Sequence, residues 1–226
     1  MKKEKTMNLT KRLLDASADI WERYYKHPFI NGIGDGSLDT GKFRYYIIQD
    51  YLYLVEYAKA FAVAITKESR PETICYLAQL IQMIISEEMN THNSYMEQLN
   101  ITREEIHATP SSIINKSYTS YMLDVAHAGS SLDAFVAILP CALSYEAIGR
   151  YIADTYPLSL KHPVFKDWVA GYSSEEYRKA NKQMIAVLEE MAKDITENEA
   201  KRLEDIFVRS SRYEEMFWDM AWEMRS

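Results

Sequence analysis

The stretch Tyr46-Ile47-Ile48-Gln49-Asp50-Tyr51-Leu52-Tyr53-Leu54-Val55-Glu56-Tyr57 sets large apolar side chains at Tyr46, Ile47, Tyr53, Leu54 and Tyr57. These positions fall on one face of an α-helix, whereas on a strand they would scatter over both faces. Asp50 shares that face, four residues from Tyr46 and three from Tyr53. A carboxylate pointing among aromatics is costly unless hydrogen-bonded, and desolvation tends to raise its pKa. Asp50 is therefore either a structural acid bonded to tyrosine hydroxyls or a group kept for a ligand.

The same three- and four-residue spacing runs through almost the whole chain, and strand-like alternation is nearly absent. It predicts helices near 8–26, 40–67, 71–99, 111–128, 131–155, 163–171, 174–194 and 197–224. Thr102 with Glu105, Ser173 with Glu176 and Thr196 with Glu199 have capping-box spacing. Pro71 suits a first helical turn, while Asp35-Gly36, Pro110 and His162-Pro163 mark breaks. Gly32-Ile33-Gly34-Asp35-Gly36 follows a helix rather than a strand and reads as a turn, not a phosphate loop. Long helices with short linkers predict one all-α bundle domain over residues 1–226.

A chain of 226 residues with 47% apolar residues can bury one sizeable core. Its net charge of −7, without a Lys/Arg cluster, argues against a nucleic-acid partner. Seventeen tyrosines are an excess, and tyrosine suits partly polar pockets and subunit contacts. Two cysteines, Cys75 and Cys141, make no disulfide framework. No signal peptide and no apolar run of bilayer length are expected, so the reading is a cytoplasmic protein without a membrane partner.

Cys141 lies within Leu139-Pro140-Cys141-Ala142-Leu143-Ser144-Tyr145-Glu146-Ala147-Ile148-Gly149, on a face with Ala137, Ile138, Ser144, Tyr145 and Ile148. A thiol there is a small core hydrophobe or a pocket nucleophile. Pro140 must kink the helix or start a new one, and a thiol at a fresh helix start would have a lowered pKa. Cys75 has no comparable polar company and reads as core. Glu214 lies on the stripe of Phe207, Ser210, Ser211, Phe217, Trp218 and Ala221; it is an inward acid or a partner of Arg209 or Arg212. Glu215 reads as solvated. Neither Glu104 with His107 nor Glu88 with His92 completes a metal-ligand set, so no metal is expected.

Several segments together resemble one family. They are His27-Pro28-Phe29, Gly32 to Gly36, Phe43 to Tyr46, Gln49-Asp50 with Tyr53, and Leu139-Pro140-Cys141 with Tyr145 and Gly149. His162-Pro163, Trp168, Tyr172, Phe207-Val208, Ser210-Ser211, Tyr213-Glu214 and Phe217-Trp218 continue the match in order. The chain is similar in these blocks to the TenA/thiaminase II family. The resemblance implies a haem-oxygenase-like helical fold without haem, a homotetramer, and no cofactor. It also implies hydrolysis at the aminomethyl carbon of 4-amino-5-aminomethyl-2-methylpyrimidine, or of thiamine, to the 5-hydroxymethyl pyrimidine. Carried over, Cys141 falls on the nucleophile, Glu214 on the acid/base and Asp50 on the carboxylate holding the aminopyrimidine. Tyr53, Tyr118, Tyr145, Tyr172 and Phe217 fall on pocket-lining positions.

This chain has Ala142 and Leu143 where relatives often carry aromatics, and Glu146 one place earlier than in some, departures that bear on substrate preference. The competing readings are a non-catalytic helical regulator that binds a pyrimidine or a protein, and a metal-dependent oxygenase on the same fold.

Overall fold

The computed structural model describes residues 8–225, leaving aside the side chains of residues 87–92. The Glu88 and His92 pair thus lies outside the described residues. Eleven α-helices and no strand make up the described chain, in agreement with the all-α expectation. They are α1 (Leu9–Lys26), α2 (Pro28–Asp35), α3 (Thr40–Thr66), α4 (Pro71–Met83), α5 (Met89–Gln98) and α6 (Arg103–Ala108). There follow α7 (Ile113–Ala128), α8 (Ser131–Thr155), α9 (Lys166–Ser173), α10 (Glu175–Met191) and α11 (Glu197–Glu223).

Caps set most of the starts. Asn8 Oδ1 accepts from the Lys11 N–H at 2.8 Å, and Ser112 Oγ accepts from the Asn115 N–H at 3.1 Å. Thr196 and Glu199 form the expected reciprocal box, as do Ser130 and Asp133. The third expected cap lies one residue later: α9 runs on to Ser173, and Ser174 accepts from the Tyr177 N–H at 3.0 Å.

Three other readings need correction. Gly32 to Asp35 is not a turn but the second half of α2; only Gly36, at φ 81°, is left-handed, and it ends that helix. The first two glycines serve close packing: a Cβ on Gly34 would stand 2.3 Å from the Tyr156 ring. The predicted 71–99 helix contains a π-helical turn at Ile84–Glu88, which shifts the buried face between α4 and α5. The six-residue α6 is too short to leave a periodic signature.

The central element is α8, packed by α3, α7, α9, α10 and α11. Enclosed on several sides, it is apolar nearly all round. It is the helix among the described residues that is long and apolar enough to cross a bilayer, contrary to the sequence expectation, but 78% of its most apolar window is buried in the fold. Pro140 neither restarts nor ends it. The thiol of Cys141 therefore sits mid-helix, away from any fresh helix start, and the expected helix-terminus effect on it has no structural basis. Cys75 is exposed on α4 rather than in the core.

Candidate active site

Helices α3, α7, α8, α9 and α11 each bring side chains to one place. From α3 come Asp50 and Tyr53, from α7 Tyr118, from α8 Cys141 and Tyr145, from α9 Tyr172, and from α11 Glu214 and Phe217. Asp50 is 4% exposed and Glu214 2%, so both carboxyls point inward as their helical stripes predict. Neither Arg209 nor Arg212 takes Glu214: its Oε1 accepts from the Tyr118 hydroxyl at 2.7 Å. Arg209 lies over the Tyr121 ring instead, and Glu215 pairs with Arg23 rather than standing free in solvent.

Burial pushes the Glu214 carboxyl up to about 8, opposed by the Tyr118 hydrogen bond and reinforced by the nearby charge of Asp50. The Cys141 side chain also hydrogen-bonds this carboxyl and favours its ionised form. Cys141 itself is half-buried. A negative charge on it would act on Tyr46, Tyr53, Tyr118 and Tyr145, which burial already holds well above the usual tyrosine range. The thiol thus has a buried acid on one side and protonated phenols around it.

Aromatic contacts fix the surrounding walls. Tyr53 lies 5.2 Å from Tyr118 and 5.7 Å edge-on to Phe217, and Tyr145 packs 4.8 Å from Tyr172. The packing of α8 on α9 that allows the last contact depends on Gly149, where a Cβ would stand 2.7 Å from the Tyr172 Cβ.

A cavity of about 290 Å³ opens beside this cluster between α3, α4, α9 and α10. Asp50 and Tyr172 line it, whereas Cys141, Glu214, Tyr53, Tyr118, Tyr145 and Phe217 stand next to it, beyond Asp50, Tyr46 and Ala142. Aromatic side chains, Tyr57, Trp168 and Tyr177 among them, contribute much of its wall. The volume suits one small planar ligand.

Sequence reasoning passed over three contributors. The Asn181 amide on α10 donates to the Ala142 carbonyl at 3.0 Å and to Glu146 Oε2 at 2.9 Å, tying α10 to the turn that carries Cys141. Trp168 donates to the Tyr46 hydroxyl at 3.1 Å. Trp168 stood among the matching blocks and Tyr46 on the Asp50 stripe, which was the available signal; Asn181 gave none. Glu104 and His107 lie exposed on α6, away from this site.

Residues 14–224 match the TENA/THI-4/PQQC family. The chain belongs to that family. Among its relatives, an aminopyrimidine aminohydrolase of Halalkalibacterium halodurans is 39% identical over 97% of both chains. One from Helicobacter pylori is 38% identical over 96% of this chain and all of that one. In structure the chain resembles a TenA homologue from P. horikoshii OT3, with a TM-score of 0.84, 29% identity, and 95% of this chain and 98% of that one covered. The all-α architecture is thus that of TenA proteins.

Proposed function

We propose that this chain is an aminopyrimidine aminohydrolase of thiamine salvage, acting through a covalent adduct on Cys141. The observation that carries the reading is Glu214: a buried carboxyl near pKa 8, hydrogen-bonded to both the Cys141 side chain and Tyr118, across from a second inward acid. A pure binding protein has no need for a thiol coupled to such an acid. Full-length similarity to relatives named aminopyrimidine aminohydrolase supports the same substrate class.

The chemistry follows from these groups. Displacing an amine from a methylene on an aromatic ring is slow in water. The Cys141 thiolate adds to the neighbouring ring carbon, and a ring nitrogen takes a proton, which a carboxyl titrating near 8 still holds at neutral pH. The electron pair of the dearomatised ring then expels the amine, which leaves with a second proton. Water adds to the exposed methylene and loses a proton, the Cys141 sulfur departs with its bonding pair, the ring nitrogen gives up the proton it took, and the neutral aromatic ring returns. Dividing one hard displacement into two easier steps is the gain from a covalent nucleophile. Asp50 accepts from the aminopyrimidine and orients it, while Tyr53, Tyr145, Tyr172 and Phe217 present ring faces and edges. In thiamine the leaving group is the thiazolium, and the cavity beyond Asp50 offers aromatic walls for it.

The test is to incubate the protein with 4-amino-5-aminomethyl-2-methylpyrimidine and with thiamine, comparing wild type with Cys141→Ser. The wild type should release the 5-hydroxymethyl pyrimidine, and the variant should lose at least about a hundredfold in rate. A folded variant of undiminished activity rules the adduct out. We also take the protein to be a cytoplasmic homotetramer. Ile113 and Leu158, both largely exposed, offer apolar surface for subunit contacts, and light scattering reads the mass.

A further inference from the structure

The Tyr46 hydroxyl is a junction between three helices at the edge of the site. It lies 3.4 Å from Asp50 Oδ2, one turn along α3, and 3.2 Å from the Tyr145 hydroxyl on α8. Trp168 of α9 donates its indole N–H to it at 3.1 Å. An indole N–H can only donate, so it occupies a lone pair of the Tyr46 oxygen. That leaves the single Tyr46 proton to be shared between Asp50 Oδ2 and the Tyr145 oxygen, both of which accept from it.

The Tyr46 ring cannot swing away from this arrangement. It is fully buried, stacked on Trp218 at 5.6 Å, with Phe29 at 5.4 Å and Phe43 at 5.7 Å. Burial also keeps the phenol protonated, so it can serve as a donor. Asp50 is a short acid at the cavity wall, within reach of that fixed hydroxyl.

We propose that Tyr46, oriented by Trp168, is a positioning residue that sets the rotation of the Asp50 carboxylate and so the alignment of the bound aminopyrimidine. The inference rests on the functional reading above, because it takes Asp50 as the pyrimidine-binding acid. Tyr46 acts through Asp50, and its loss weakens substrate capture more than the covalent steps at Cys141.

A double-mutant cycle on the full-length protein tests this, using Tyr46→Phe, Asp50→Ala and the combination. Tyr46→Phe keeps the ring and removes only the hydroxyl. It should raise KM for the aminomethyl pyrimidine about tenfold, the size of a hydrogen bond to a charged group, with kcat changed less than about threefold. In the Asp50→Ala background the same substitution should leave pyrimidine affinity, read by calorimetry, unchanged. Trp168→Phe, which loosens the Tyr46 hydroxyl without deleting it, should raise KM by about threefold, a weaker effect in the same direction. An unchanged KM in Tyr46→Phe, or an affinity loss that persists without Asp50, overturns the proposal. A wild type that neither binds nor hydrolyses the pyrimidine overturns the functional reading instead.

Discussion

Replacing Glu214 by Gln converts the carboxyl's displaced titration into a measurable stability. Gln keeps the shape and the carbonyl oxygen that accepts from Tyr118, but has no proton to lose. In the wild type the folded carboxyl titrates near 8, against an ordinary 4.5. Below 4.5 both folded and unfolded chains hold the proton, and Glu214 makes no difference to the balance. Between 4.5 and 8 the unfolded chain ionises while the fold does not, so the unfolded state gains and wild-type stability falls as pH rises. Above 8 both are ionised and the loss is complete. At about 1.4 kcal/mol per pH unit, the gap opening between Gln variant and wild type is on the order of 5 kcal/mol. Urea unfolding of both proteins at intervals from about pH 5 to about pH 9 measures it, since groups remote from Glu214 titrate alike in the two and cancel. The variant should be the more stable protein at the alkaline end, with the difference fading toward the acid end. Stability curves that run parallel across that range refute the buried, proton-holding carboxyl on which the catalytic reading stands.

Two further outcomes follow from packing around the site. Gly149→Ala sets a methyl 2.7 Å from the Tyr172 Cβ and 2.8 Å from its carbonyl carbon, where backbone cannot yield. It should cost about 1–3 kcal/mol in thermal unfolding and displace Tyr172 enough to lower kcat/KM. Gln49→Leu removes the acceptor of the Ser112 N–H at 2.9 Å and of the Asn115 amide at 3.0 Å, both buried. It also removes the donor to the Pro110 carbonyl at 3.1 Å, and a loss of about 2–3 kcal/mol in urea denaturation is expected.

The fold was legible where physics is local. Three- and four-residue spacing located α1, α3, α7, α8 and α11 because each lays a continuous stripe on one face against the core. It failed at α2, where glycines present for close approach to Leu38 and Tyr156 imitate a turn, and at the π-helical turn, which a repeat pattern absorbs. The spacing carries a helix over 131–155, but Pro140 within it implies a kink or a fresh start because a lone helix pays heavily for an interior proline; packing against the surrounding helices carries α8 through it. At the site, Asp50 and Glu214 were visible as acids on apolar stripes, and Cys141 as a thiol on a third. That they face one another could not be read from any one stripe; only the ordered family resemblance joined them. Tyr46 and Trp168 escaped assignment because their roles depend on how α9, packed on α8, brings its indole to α3.

The aromatic wall also makes the protein its own optical reporter. Of four tryptophans, Trp168 and Trp218 are buried 6.4 Å apart, and Trp168 lines the cavity while donating to Tyr46. The other two lie elsewhere, Trp21 against Phe207 and Trp222 beneath Lys42. A pyrimidine entering the cavity displaces solvent beside one indole, so occupancy is readable in the native emission without a label.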